Sequence, residues 1–138
     1  MKFFVHIIIL FTVLVLSNLN AQVQMPLKGI CAHRGAMETY PENTLAAFKE
    51  AIRLGAHMVE FDVRITKDNE LVIMHDKSVD RTTDGKELII DLTLVEIKKL
   101  DAGSWKSAKF NGEKVPTLKE TLSVFPKNIW LNIHLKKK

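Results

Sequence analysis

A single cysteine, Cys31, occurs in 138 residues. No disulfide can form within the chain, so its stability must come from a packed core. Cys31 lies in an apolar run before His33 and reads as a small buried side chain rather than a reactive thiol. Glycine and proline are few, 6 and 4, which excludes collagen-like and low-complexity architectures. There is no internal repeat. Long apolar runs are missing too. The longest, Ile7 to Leu16, is broken at Thr12 and falls short of the roughly 20 residues that a membrane-spanning helix needs. Charge of one sign does not dominate: 20 basic side chains face 16 acidic ones, a net +4. That balance gives no nucleic-acid footprint.

Hydrophobic residues make up 46% of the chain, enough for one modest folded domain. The first segment is set apart from it. A basic start at Lys2, the apolar run and the small polar stretch Ser17-Asn18-Leu19-Asn20-Ala21 have the layout of a secretory signal peptide over residues 1–21. The expectation is an exported protein, periplasmic or secreted, with no stable membrane span after cleavage. Removing Lys2 with that segment leaves 19 basic against 16 acidic residues, net +3. Three of those lysines are the terminal Lys136-Lys137-Lys138, read as a solvated end.

From Pro26 onward, strand-like and helix-like pieces alternate, the rhythm of a βα protein. Residues 28–33 read as a strand ending at His33. Pro41-Glu42-Asn43-Thr44 opens a helix capped by Asn43 or Thr44. Its stripe is Leu45, Phe48 and Ile52, and Gly55 ends it. Met58–Arg64 reads as a second strand. Lys67–Glu70 reads as a turn, and Leu71–His75 as a short strand. Residues 76–115 are loop-rich, with one short helix started by the capping box Thr93/Glu96. A second box, Thr117/Glu120, starts a helix with the stripe Leu118, Leu122 and Phe125. Ile129–Lys136 is the last strand.

Two of these strands share one arrangement. Val59, Phe61 and Val63 oppose Glu60, Asp62 and Arg64; Ile129, Leu131, Ile133 and Leu135 oppose Trp130, Asn132, His134 and Lys136. A half-exposed strand would place its polar face in water. In a βα protein the apolar face packs under helices, and the polar face looks into a shared centre where charges must be paired or bind metal.

Glu60 and Asp62, two apart, project to one side and suit a hard divalent cation. By itself that spacing is weak. His33-Arg34-Gly35 places a proton carrier, a guanidinium fork matched to phosphate oxygens and a close backbone approach at one strand end. His75-Asp76 adds a second histidine. Phosphodiester cleavage needs two proton carriers and positive charge on the phosphoryl group. Two histidines, an arginine and two carboxylates match that need.

The set His33-Arg34-Gly35, Pro41-Glu42-Asn43-Thr44, Gly55-Ala56, Glu60-Phe61-Asp62-Val63, Thr66-Lys67-Asp68, His75-Asp76, Arg81-Thr82-Thr83 and Pro116-Thr117-Leu118 resembles the glycerophosphodiester phosphodiesterase family in order and spacing. The likeness runs from about Ile30 to the last residue. It implies an α/β fold, the N-terminal part of a TIM-type (β/α)8 barrel. It also implies a hydrolase of lipid metabolism that cleaves glycerophosphodiesters, the deacylated phospholipids, to glycerol 3-phosphate and an alcohol. By this likeness His33 and His75 are the acid/base pair and Arg34 contacts the phosphate. Glu60 and Asp62 bind a divalent cation, Ca²⁺ or Mg²⁺ before others. Residues 76–115 resemble the family's small insertion beside the barrel mouth.

The family pattern N-I-E-x-K appears here as Asn132-Ile133-His134-Leu135-Lys136. His134 thus stands where the family has a third carboxylate ligand. An imidazole there suits a transition metal better than Ca²⁺. Lys136 keeps the family's lysine. A complete barrel takes roughly 250 residues and eight strands. Residues 22–138 are therefore expected to form a truncated domain with about three barrel strands, whose own activity is doubtful. The alternative is an inactive barrel remnant that only binds metal or phosphate. A barrel lipase acting on intact phospholipids is a third reading, which the small insertion argues against.

Overall fold

The computed structural model describes residues 24–137; the expected signal peptide lies outside them. Strand β1 (Cys31–His33) leads to helix α1 (Leu45–Arg53) and strand β2 (Met58–Ile65). Strand β3 (Leu71–Ile73), helix α2 (Leu94–Ile97), helix α3 (Leu118–Val124) and strand β4 (Trp130–Leu135) follow, with 3₁₀ turns at Ile89–Asp91 and Ala108–Phe110. β2 is central. It pairs in parallel with β1 (His33 opposite Glu60) and with β4 (Asp62 opposite His134). The two βα connections, through α1 and α3, make this three-stranded arc the βα sheet that the sequence rhythm predicts. β3 differs from it: it runs antiparallel to the far end of β2, Val63 opposite Ile73. It is a hairpin arm closed by Thr66 N donating to Glu70 O at 2.9 Å, with Asn69 in the left-handed region. The strand also stops two residues before His75.

α1 forms because Thr44, not Asn43, caps it: Thr44 Oγ1 accepts from Ala47 N at 3.2 Å. Gly55, at φ 81°, ends it, with Gly55 N on Ile52 O and Ala56 N on Ala51 O, both 3.0 Å. The buried face is Ala47, Phe48 and Ala51, shifted from the expected Leu45–Phe48–Ile52 stripe. Small residues let the helix lie close to the sheet. Gly35 shows how close: a Cβ there would stand 2.8 Å from the Ala47 backbone and side chain. That glycine makes room for α1. Both capping boxes form, Thr93 with Glu96 and Thr117 with Glu120. In α3, Thr121 is the buried residue and Leu122 is exposed.

Two cores result. Phe48, Ala51, Val59, Phe61, Val63 and Ile73 fill the space between sheet and helices. Phe48, Phe61 and Phe125 meet there with ring centroids 5.4–5.9 Å apart, each pair adding about 0.5–1.5 kcal/mol beyond its burial. The second core, Val72, Met74, Val79, Ile89, Ile97, Ala102 and Val115, lies within the 76–115 excursion and its β3 arm. Cys31 is exposed, against expectation, because β1 lies at the sheet edge among the described strands. On β4, Leu131 packs on the first core while Ile133 and Leu135 are exposed. No helix among the described residues is long and apolar enough to cross a membrane.

Candidate functional site

The alternation of β2 places Phe61 in the core and its neighbours Glu60 and Asp62 on the opposite face, where both are buried. Parallel pairing brings β4 alongside in register. His134 Nδ1 thereby lies 2.8 Å from Glu60 Oε1 and 3.7 Å from Asp62 Oδ1. Lys136 Nζ sits 3.0 Å from Asp62 Oδ1, so this lysine of the expected solvated tail is an inward ion-pair partner. On the other edge, His33 Nε2 is 3.7 Å from Glu60 Oε2, with the imidazole 57% exposed.

The chain leaves β1 through two residues in the left-handed region, Arg34 (φ 53°) and Gly35 (φ 81°). That turn aims Arg34 N at Glu60 Oε2, 3.0 Å away. The Arg34 side chain folds inward: Nη1 donates to Glu42 Oε1 at 3.0 Å and Nε faces Asp62 Oδ2 at 3.4 Å. Asn43, also left-handed at φ 57°, donates from Nδ2 to Asp62 Oδ2 at 3.0 Å. Burial alone would raise the Asp62 carboxyl. The hydrogen bond from Asn43 and the charge of Lys136 outweigh it and hold that carboxyl below its ordinary value.

His75 is fixed from two directions. Its carbonyl accepts from Arg64 Nε and Nη2 at 2.9 and 2.7 Å. Its Nδ1 lies 2.6 Å from Asp76 Oδ1. Arg81 then bridges Asp76 to Glu42, with Nε on Asp76 Oδ2 at 2.5 Å and Nη1 and Nη2 on the two Glu42 oxygens at 2.9 and 2.7 Å. The Arg81 hydrogen bond, foremost, depresses the Asp76 carboxyl to about 2.

Glu60, Asp62 and His134 each offer a ligand atom within 4.8 Å of the others. The donor set fits a divalent cation. Glu60 Oε1 and Asp62 Oδ1 are buried oxygens that face His134 Nδ1 at 2.8 Å and Lys136 Nζ at 3.0 Å. Two carboxylates buried side by side are costly unless positive charge balances them. Sequence reasoning found every residue of this cluster. It gave no role to Glu42, Asp76 or Arg81, and it gave Asn43 only a capping role. Residues 42 and 81 stand far apart in the chain, so no local pattern pairs them.

The model of the glycerophosphoryl diester phosphodiesterase family matches residues 33–138. A glycerophosphodiester phosphodiesterase of Caldanaerobacter subterraneus is 51% identical over 108 residues, covering 78% of this chain and 44% of that one. A solved glycerophosphodiester phosphodiesterase from Agrobacterium tumefaciens superposes with a TM-score of 0.78 at 39% identity, over 80% of this chain and 48% of that one. A phosphodiesterase of Oleispira antarctica, solved with its product sn-glycerol-3-phosphate, gives 0.76 at 44% identity, over 80% and 45%. The chain thus spans about half the length of the relatives it matches. With the parallel arc of β1, β2 and β4, these likenesses identify the fold as part of a TIM-type barrel. The chain belongs to the glycerophosphoryl diester phosphodiesterase family.

Proposed function

We propose that the protein carrying this chain is a divalent-cation-dependent phosphodiester hydrolase. It takes glycerophosphodiesters to glycerol 3-phosphate and an alcohol, with His33 and His75 as the acid/base pair. The observation that carries this reading is the cluster of two buried carboxylates, Glu60 and Asp62, with His134, whose ligand atoms lie within 4.8 Å of one another. Glu60, Asp62 and His134 would hold the cation. Bound there, it supplies positive charge that stabilises the phosphoryl oxygens as negative charge grows on them.

The chain's own groups do the rest. Arg34 is anchored by Glu42 and Asp62 and turns its remaining guanidinium donors to the phosphate. His33 is open to solvent beside Glu60, placed to exchange a proton with an incoming or departing oxygen. An ionised Asp76 can only accept, so His75 Nδ1 carries a proton towards it and Nε2 is the nitrogen that meets the substrate. One imidazole takes the proton of the attacking water, whose oxygen bonds to phosphorus as the bond to the leaving alcohol oxygen breaks, and the other gives that oxygen its proton. Lys136 pairs with Asp62 and keeps two adjacent buried carboxylates compatible with one site. We further propose that residues 1–21 are a cleaved export signal and that residues 76–115 are an insertion rimming the site.

The test is release of glycerol 3-phosphate from glycerophosphocholine with and without EDTA. Cation-dependent release is expected. Cation or phosphate binding without turnover would favour an inactive barrel remnant, and turnover in excess EDTA would remove the metal from the account.

A further inference from the structure

Arg81 touches none of the groups assigned to the chemistry, yet it is bonded to the partners of two of them. Its Nη1 and Nη2 form a two-pronged contact with Glu42, the same carboxylate that holds Arg34 Nη1. Its Nε bonds Asp76, whose other oxygen holds His75 Nδ1. Five side chains therefore form one chain of charge-assisted bonds: Arg34, Glu42, Arg81, Asp76, His75. They come from the turn after β1, the segment before α1, and the stretch from the end of β3 into the start of the 76–115 excursion. Glu42 is 7% exposed, so its charge must be balanced, and only the two arginines reach it through hydrogen bonds among the described residues.

We propose that Arg81 is a positioning residue that sets the His75 tautomer through Asp76 and locks His75 and Arg34 into one frame. This rests on the hydrolase reading for its effect on turnover, though not for its effect on His75 itself. The physical reason is geometric. A carboxylate bonded on one oxygen only can rotate about its Cβ–Cγ bond and release the imidazole. Asp76 is gripped on both oxygens, so Oδ1 has one place to be. With Oδ1 fixed as acceptor, the His75 proton stays on Nδ1 and Nε2 stays bare in the neutral ring. The Arg81 guanidinium is planar and has a fixed fork, which allows it to hold Glu42 with two nitrogens and Asp76 with the third. A lysine in its place could not do both. The excursion thus has a further role in holding the site: its first residues brace the two strand-end turns against each other.

Two readouts separate this from a merely structural arginine. Histidine-labelled protein is examined by long-range ¹H–¹⁵N NMR, with the His75 ring assigned by its loss in His75→Gln. The native protein should show His75 as a single Nδ1–H tautomer with a slowly exchanging ring proton. Arg81→Gln should turn it into a mixture of tautomers with fast exchange, while the thermal midpoint shows that the variant is folded. On glycerophosphocholine, Arg81→Gln should lower kcat by about 10–100-fold, by analogy with loss of the groups that orient a metal-bound histidine, and Arg81→Lys should recover only part of it. If Arg81→Gln does not fold, Asp76→Asn, which leaves the Glu42 contact in place, must abolish the Nδ1–H tautomer, because its amide oxygen accepts from Arg81 Nε and its NH2 then faces His75 Nδ1. Lower turnover with an unchanged His75 tautomer overturns the proposal, as does parental turnover with an unchanged spectrum. If the native protein hydrolyses nothing, the hydrolase reading fails, and the tautomer measurement still decides the positioning role.

Discussion

Asn43 and Asp62 hold each other in both directions: Asn43 Nδ2 donates to Asp62 Oδ2 at 3.0 Å, and Asp62 N donates to Asn43 Oδ1 at 3.4 Å. The residue before the cap of α1 is thereby fastened to the middle of β2. Asn43 can do this because asparagine tolerates the left-handed backbone, here φ 57°.

Two substitutions separate the backbone effect from the hydrogen bonds. Asn43→Gly keeps the conformation and loses the bonds; Asn43→Ala loses both. Leaving a buried carboxylate without its donor costs about 1–3 kcal/mol. The alanine variant should be about 1 kcal/mol worse again. Urea denaturation measures both. Equal stability of the three proteins would show that this pair does not fasten the turn to the strand.

Acid should reveal the Asp76 grip. Its carboxyl stands at about 2 in the folded protein, held down chiefly by the Arg81 hydrogen bond, against about 3.9 in an unfolded chain. A depressed carboxyl stabilises the fold above the unfolded value, and that stability is lost as pH falls through the folded one. Native protein should therefore lose stability between about pH 4 and about pH 2, and Asp76→Asn should lose less over the same window. Parallel stability–pH curves for the two proteins would contradict this. Asp62 and Glu42 are held low as well, so acid destabilisation should persist in part.

Cation binding should be readable without any assay of turnover. A ligand at 100 times its Kd adds about 2.7 kcal/mol to stability. The native protein should melt higher in Mn²⁺ or Ca²⁺, and Glu60→Gln with Asp62→Asn should abolish the gain. His134→Glu would put a third carboxylate beside Glu60 and Asp62. It should favour Ca²⁺ and Mg²⁺ over Zn²⁺ and Ni²⁺ in calorimetric titration. Without cation it should lower the melting temperature, because like charges then crowd a buried site. An unchanged metal preference would mean that residue 134 is not a ligand.

The site was legible in the sequence where a local period encodes it. Alternation along β2 and β4 put Glu60, Asp62, His134 and Lys136 on one face, and four-residue boxes located α2 and α3. What was missed depends on partners distant in the chain. Cys31 belongs to an apolar run, but its burial depends on which strands flank β1. The α1 and α3 stripes hold at Leu45, Phe48, Leu118 and Phe125 and miss at Ile52 and Leu122, because Ala47, Ala51 and Thr121, too small or polar to mark a stripe, take the most buried positions. Leu71–Ile73 reads alike as a barrel strand or a hairpin arm, and only pairing decides. Glu42 and Arg81 sit in loops without period, and their pairing is visible only once the 76–115 excursion packs on its own core.

The central claim is that His33 and His75 carry the protons of a phosphodiester hydrolysis at this site. Its most direct test is the rate of glycerol 3-phosphate release from glycerophosphocholine, with divalent cation present, by the native protein, His33→Ala and His75→Ala. The account predicts hydrolysis by the native protein and a fall of about 10²–10⁴-fold in each variant, with melting temperatures unchanged. Both variants releasing product at the native rate would contradict it.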